Sequence, residues 1–183
     1  MVQVVMSPIK GFAQSLPGVI LICFLQNIFY FFGISGWVFT PVTRSITQAA
    51  IAENAAMVAA GGTATNIYAY GFSRYHHIGG QLATLPLAFM MLFSKSKKYK
   101  LLGRATIIPS IFNINEPLVY GTVVNNPFMF IPVVLISIIL PGFSYLWFQF
   151  GWGTINYVNF DMNFLPNAIS AFMMSGGDFR NVI

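Results

Sequence analysis

Glu116 is the residue of this sequence best placed to do chemistry. It stands in Phe112-Asn113-Ile114-Asn115-Glu116-Pro117, between apolar runs. A carboxylate at the centre of a membrane helix costs about 2.5–3.5 kcal/mol on insertion scales for the comparable aspartate. An acid kept at that cost faces a cavity, a partner or a substrate. Asn113 and Asn115 place amide donors and acceptors beside it. Pro117 and the two asparagines break a helix and bare backbone polar groups. Such backbone is tolerated at membrane depth only where protein or a water-filled cavity covers it. The chemistry implied is recognition of a polar ligand. The structural alternative is a buried ion pair of Glu116 with Arg104 or Arg74, which does not exclude ligand binding.

Other reactive groups are few. His76 and His77 have the chemistry of acid–base groups, but they sit in a polar, aromatic stretch, and a solvated or interfacial role is expected for them. Cys23 is the single cysteine, which excludes an intrachain disulfide, and its apolar neighbours predict a buried thiol. The sequence has no C-x-x-C, no H-E-x-x-H and no G-x-x-x-x-G-K-[ST]. No metal, no cofactor and no catalytic residue is therefore expected on this chain.

The elements that must position Glu116 are apolar. Of 183 residues, 56% are hydrophobic and 7% charged, and the mean hydropathy is +0.71. Soluble domains carry roughly 25% charged residues. The net charge of +5 could suggest nucleic acid. However, most of the basic residues cluster in Lys95, Lys97, Lys98, Lys100 and Arg104, which reads as a cytoplasmic loop under the positive-inside rule. Nucleic acid is not an expected partner, whereas membrane lipid is. Lys10 before an apolar run loosely suggests a signal peptide, but the run continues to Ile34 without a good small-residue cleavage site.

An all-α, polytopic membrane protein is the fold expected, with about three transmembrane helices plus a re-entrant hairpin and amphipathic helices. The spans are placed at Leu16–Ile34, Ile78–Phe93 and Phe128–Phe150, against the roughly 20 residues a span needs. Residues 41–60 read as an amphipathic helix closed by Gly61-Gly62, and 63–77 as a hairpin-like loop. Leu101–Ile114, with Pro109, reads as a re-entrant hairpin leading into the Asn-Glu-Pro break. Tyr145, Trp147, Phe148, Phe150 and Trp152 form an aromatic belt after the last span. A short amphipathic stretch is expected within the tail, 163–183.

The run Lys95-Ser96-Lys97-Lys98-Tyr99-Lys100-Leu101-Leu102-Gly103-Arg104, then Pro109, then the block ending Asn115-Glu116-Pro117, resembles one family. It is similar to the membrane permease (IIC) component of the bacterial phosphoenolpyruvate-dependent sugar phosphotransferase system, in the lactose, cellobiose and diacetylchitobiose branch. Ser15-Leu16-Pro17-Gly18, Phe31-Phe32-Gly33-Ile34, Asn54-Ala55, Gly79-Gly80, Tyr120-Gly121, Asn126-Pro127, Ile131-Pro132 and Gly176-Gly177-Asp178-Phe179-Arg180 fit the same family in the same order. Family permeases are much longer, so the chain, 1–183, is expected to form a single partial domain, part of the C-terminal, substrate-binding half.

The resemblance implies a multi-pass protein of the bacterial cell membrane that binds a β-linked disaccharide. The sugar's 6-hydroxyl would be presented to a phosphocysteine on a separate IIB protein. Glu116 would accept a hydrogen bond from a sugar hydroxyl, a bond strengthened by charge, with Asn113, Asn115, Asn54 and Ser35 as further contacts. Trp152 would stack on the pyranose, or serve only as an interfacial anchor. Arg74 and Glu53 are expected to serve structure. The Lys95–Arg104 segment would dock IIB, and full-length members would form homodimers.

Three departures from the family bear on these expectations. Ser35 occupies the place of a family histidine that helps hold substrate. The family's Gly-Gly-Ser-Gly-Ala-Thr turn is Gly79-Gly80-Gln81-Leu82-Ala83-Thr84, and the stretch from Gly121 to Asn126 is a residue shorter and lacks the usual proline. Alternatives to a coupled permease are therefore a sugar-binding membrane protein without phosphorylation, or a truncated remnant without transport.

Overall fold

The computed structural model of the chain describes residues 10–160, 162 and 164–182. Met1–Ile9, Asp161, Asn163 and Ile183 lie outside the described residues, and with them the ends of the expected domain. Helices and turns make up the fold, and no strand occurs among the described residues. The all-α architecture stands.

Helix α1, Leu16–Phe31, starts where the Ser15 side chain accepts from the Gly18 N–H at 3.2 Å, with Pro17 in the first turn. It ends at Gly33, whose φ of +87° reverses the chain. A 3₁₀ turn, Gly36–Phe39, capped by Ser35, leads into α2, Thr40–Ala59. α2 buries Ile46, Thr47, Ala50, Ile51 and Asn54, a stripe at helical spacing. A long loop with a 3₁₀ turn at Phe72–Tyr75 follows.

Helix α3, Leu85–Leu92, and helix α4, Lys97–Ile111, fold back on one another. Their approach is close: a Cβ on Gly103 would lie 2.8 Å from the Met91 Cβ. Leu101–Ile114, expected to form a re-entrant hairpin itself, instead belongs mostly to the single helix α4, which pairs with α3. The expected Lys95–Arg104 loop is helical from Lys97, because lysine, leucine and arginine are good helix formers whatever their charge. The Ile78–Phe93 run yields only the eight-residue α3. Its first part is a turn in which Gly79, Gly80, Leu82 and Ala83 all take positive φ, and the Thr84 hydroxyl closes it by donating to the Gly79 carbonyl at 2.9 Å.

After the Asn-Glu-Pro break, the turn Glu116–Leu118 runs into a π-helical turn, Val119–Val123. Helix α5, Pro127–Gln149, is capped by the Asn126 side chain, which accepts from the Phe128 N–H at 3.1 Å. It is the helix among the described residues that is long and apolar enough to cross a membrane, with a hydropathy of 2.2 over its best window. α1 is apolar but only 16 residues long. Only 28% of that α5 window is buried inside the chain, and Phe128, Ile131, Leu135 and Ile139 project outward. α1 packs along α5, Ile20 meeting the flat face at Gly142. A last helix, α6, Asn167–Met174, precedes the turn Phe179–Asn181.

Two apolar clusters hold these parts together. One joins Tyr30 and Phe31 of α1 to Ala88, Met91, Leu118, Val119 and Val133. The other joins Val19 and Cys23 to Tyr68, Phe72, Tyr145 and Phe148. The first anchors the segment carrying Glu116, and the second anchors the loop before α3.

Candidate functional site

A cavity of about 280 Å³ opens between these two clusters. That is close to the lower end of ligand pockets, roughly 300–1,000 Å³. Its walls come from the C-terminal end of α1, the Ser35–Trp37 turn, the first turns of α2, the loop from Tyr68 to Gln81, and Asn113 to Glu116.

The Asn-Glu-Pro break forms one wall. α4 stops where Asn113 takes φ +64° and its side-chain amide donates to the Leu165 carbonyl at 2.7 Å. Asn115 is buried, and its Nδ2 donates to the Gln81 carbonyl at 2.6 Å and to the Thr84 hydroxyl at 2.7 Å. The amide therefore clamps the turn before α3, although the residue also lines the cavity. Glu116 begins the next helical turn and is exposed to the cavity. The ion pairs among the described residues, Lys10–Glu53 and Asp178–Arg180, do not include it. No hydrogen bond within the described residues engages its carboxylate, which leaves it open to a ligand.

Ser35 lines the cavity too, its hydroxyl accepting from the Trp37 N–H at 3.4 Å. Asn54 does not. It is fully buried, its Nδ2 donating to the carbonyls of Asn66 at 2.9 Å and Asn156 at 2.8 Å, and its Oδ1 accepting from the Asn66 N–H at 3.0 Å. Every polar atom of that side chain is spent on holding loops. Trp152 also lies away from the cavity walls. Gly151, at φ +72°, turns the chain so that Trp152 packs edge-on against Trp147 at 5.3 Å, at the end of α5.

Several wall residues were not singled out by the sequence. Trp37 lines the cavity with its indole 60% exposed, which gives it an open aromatic face. The Arg44 guanidinium lies 5.4 Å from the centre of the Tyr70 ring, and both line the cavity. Gln81 lines it while its Nε2 donates to the Gln26 carbonyl and the Asn27 Oδ1, both at 3.1 Å. Arg74, expected to be structural, is also in the wall. The signal for Tyr70 and Arg74 was the polar and aromatic composition of 63–77 in an otherwise apolar chain; none pointed to Trp37, Arg44 or Gln81.

His76 is buried, contrary to the solvated or interfacial role expected of both histidines, and His77 is half-buried. His76 is 2% exposed and packs on Phe72 with ring centres 5.1 Å apart. His77 lines the cavity, and its ring lies edge-on to His76 at 4.4 Å. Burial lowers the pKa of His76 well below the ordinary histidine value. Burial, with the Arg74 charge adding to it, lowers that of His77 to about 4. Both rings are neutral near pH 7.

The loop carrying these groups is braced from the C-terminal end of the chain. The Tyr75 hydroxyl donates to Asn156 Oδ1 at 2.6 Å and accepts from Asn181 Nδ2 at 2.9 Å. Asn181 Nδ2 also donates to the Thr154 carbonyl at 2.7 Å, and the Thr154 hydroxyl donates to Asp178 at 2.6 Å. Hydrogen bonds from the Arg180 side chain, chiefly, hold the Asp178 carboxyl well below the usual carboxylate range. The Gly176–Arg180 block thus acts on the cavity through its loop.

Comparison with known proteins agrees with this architecture. The family model described as Phosphotransferase system, EIIC matches residues 2–137. A lactose-specific EIICB component of Streptococcus mutans is 33% identical over 138 residues, covering 73% of this chain and 24% of that protein. A lactose-specific EIICB component of Staphylococcus aureus is 37% identical over 136 residues, with 72% and 24% covered. The crystal structure of the transporter ChbC, the IIC component of the N,N'-diacetylchitobiose-specific phosphotransferase system, superposes with a TM-score of 0.91 at 28% identity. It covers 98% of this chain and 42% of its own. The chain thus spans about a quarter of the length of the curated relatives it matches. With the family match extending over most of its residues, the chain belongs to the EIIC family of the phosphotransferase system, whose members are membrane proteins.

Proposed function

We propose that the chain forms the substrate-binding, C-terminal part of a multi-pass sugar permease component in a bacterial cell membrane. Its substrate is a β-linked disaccharide of the cellobiose, chitobiose or lactose type. The observation that carries this reading is the Glu116 carboxylate, without a hydrogen bond or ion pair among the described residues, in a polar cavity rimmed by an exposed indole. Carboxylates accept strongly from sugar hydroxyls, and an indole face suits the apolar face of a pyranose. Asn113, Asn115 and Ser35 lie in the same wall. Trp37 takes the stacking role first given to Trp152, and Asn54 supports the site at a distance. The names of the relatives, lactose-specific and diacetylchitobiose-specific, support this substrate class.

The phosphoryl donor is a IIB protein. The curated relatives are named as fused EIICB components, which supports such a partner. Its docking surface is the start of α4, where Lys97, Lys98 and Lys100 are exposed at a helix N-terminus. A cationic N-terminus is electrostatically unfavourable to the helix itself and attracts an acidic partner. One observation favours the alternative of binding without phosphorylation: Ser35 stands at the cavity where a proton-carrying histidine is found in the family.

The test is to express the chain alone and with a IIB protein in a host lacking β-glucoside permeases, then measure sugar binding and phosphorylated disaccharide. Binding together with IIB-dependent product is expected. Binding without product selects the uncoupled alternative, and absence of binding refutes the sugar site. Glu116→Gln should abolish binding with the fold intact, because no hydrogen bond or ion pair among the described residues engages its carboxylate. Unchanged affinity would remove Glu116 from the site.

A further inference from the structure

Tyr30 has a buried ring and a hydroxyl that no other part of the described chain engages. It stands near the C-terminal end of α1 and is 3% exposed. Its ring shares an apolar cluster with Leu118 and Val119, which follow Glu116, and lies edge-on to Tyr120 with ring centres 6.0 Å apart. Tyr30 is thus packed with the segment that carries Glu116, and both residues line the cavity. The hydroxyls of Tyr75, Tyr120 and Tyr145 each bond to another part of the chain. No hydrogen bond among the described residues engages the Tyr30 hydroxyl. Unlike the buried polar atoms that lack a partner, its oxygen keeps accessible surface. The open space that Tyr30 borders is the cavity, so that surface is cavity surface.

A buried tyrosine usually gives its O–H a partner. At a cavity the partner is whatever fills the cavity, and the neighbouring groups decide its chemistry. An ionised carboxylate such as that of Glu116 can only accept. The Asn115 amide spends its N–H groups on the Gln81 carbonyl and the Thr84 hydroxyl. The Gln81 amide spends its own on the Gln26 carbonyl and on Asn27 Oδ1. Gln26 and Tyr30 lie one helical turn apart on the α1 side of the cavity. This stretch of wall can therefore take up a ligand's hydroxyl proton at Glu116, while the amides of Asn115 and Gln81 offer the hydroxyl oxygen no donor. The Tyr30 O–H is a donor in the same stretch, within reach of the Glu116 charge. A group that donates and accepts at one atom satisfies both residues, and a sugar hydroxyl is such a group.

We propose that Tyr30 binds the substrate directly: its hydroxyl donates to the oxygen of a sugar hydroxyl whose own proton Glu116 accepts. This rests on the reading of the cavity as a sugar site. Recognition is then two-sided at one hydroxyl. A sugar that lacks it loses both bonds together, so the pair selects among sugars by the presence and position of one group.

The experiment is calorimetric titration of the purified chain in detergent with cellobiose, lactose and N,N'-diacetylchitobiose. Tyr30→Phe, which removes one oxygen and keeps the ring, is titrated alongside with the best of the three and with its monodeoxy analogues. Thermal melts of both proteins without sugar accompany the titrations. Tyr30→Phe should weaken binding about tenfold, as expected for one lost hydrogen bond. Its melting temperature without sugar should match that of the native chain, because the hydroxyl has no partner among the described residues. One deoxy position should carry a penalty about tenfold smaller in Tyr30→Phe than in the native chain, since one of its two bonds is already gone. A purely structural role would not single out one hydroxyl. Equal affinity of the two proteins overturns the proposal, as does a deoxy penalty that is the same in both at every position. Failure of Tyr30→Phe to fold also overturns it, by showing that the hydroxyl serves the fold. Failure of the native chain to bind any of the three sugars overturns the sugar site itself, whereas a Glu116-dependent affinity insensitive to Tyr30→Phe overturns only this assignment.

Discussion

Asn115 occupies the space that a side chain on Gly80 would need. A Cβ at residue 80 would lie 2.5 Å from the Asn115 Cγ, and Gly80 holds φ +96°. The two blocks Gly79-Gly80 and Asn115-Glu116, far apart in sequence, are thus two halves of one joint at the cavity wall. Asn115 completes it by donating to Gln81 and Thr84 across the same turn.

Gly80→Ala is expected to break that joint. The left-handed backbone alone costs an L-residue roughly 1–2 kcal/mol, and the displaced amide would leave buried donors unpaired at a further cost of about 1–3 kcal/mol. The variant should melt well below the native chain in detergent and bind sugar weakly. Native melting and native affinity together would show that the joint is not needed.

The indole in the cavity is Trp37, and the one at the end of α5 is Trp152. Trp37→Ala should reduce sugar affinity about tenfold, as lost aromatic stacking of ~0.5–1.5 kcal/mol plus lost apolar burial implies. It should also remove the sugar-dependent change in tryptophan fluorescence. Trp152→Ala should leave both within about twofold, a margin of under ~0.5 kcal/mol. The opposite ranking would return the stacking role to Trp152.

The turn before α3 carries strain at two non-glycine residues, Leu82 at φ +71° and Ala83 at φ +49°. Ala83→Gly should raise the melting temperature, since it relieves about 1 kcal/mol of backbone strain and removes little buried surface. Leu82→Gly should lower it, because Leu82 is 3% exposed within an apolar cluster. Emptying such a site costs about 2–5 kcal/mol for the comparable change to alanine. Equal shifts in the two variants would count against the strain.

Stability should depend on pH through His76 and His77. His77 has its folded value lowered to about 4, against 6.5 for an ordinary histidine. The unfolded chain then binds more protons between those values. Stability is fully present above pH 6.5 and is lost as pH falls towards 4, at a slope of up to about 1.4 kcal/mol per pH unit for one such group. His76, also lowered, adds in the same direction. Thermal melts from pH 7.5 to 4.5 should show the decline, and a smaller one in His77→Phe. A flat profile would place both rings in contact with solvent.

The sequence by itself determined the helical class, the apolar run that became α5, the apolar run that became α1, and Glu116 at a helix break. Each of these follows from local chemistry: hydropathy over one helix length, and a proline beside a charge. The family, too, was legible, because its blocks are short and contiguous. Tertiary structure alone decided which polar residues remain available to a ligand. Asn54 and Asn115 look as suitable for sugar as Glu116 does. However, Asn54 spends its amide on Asn156, 102 residues away, and Asn115 spends its own across 34 residues on Gln81. His76 became buried against Phe72 and near Cys23 for reasons equally remote from its neighbours in sequence, whereas the Lys97–Arg104 helix follows from local propensity. A hydrogen-bonding group has no address until the chain closes around it, and only closure separated the amides that build the cavity from the carboxylate left open within it.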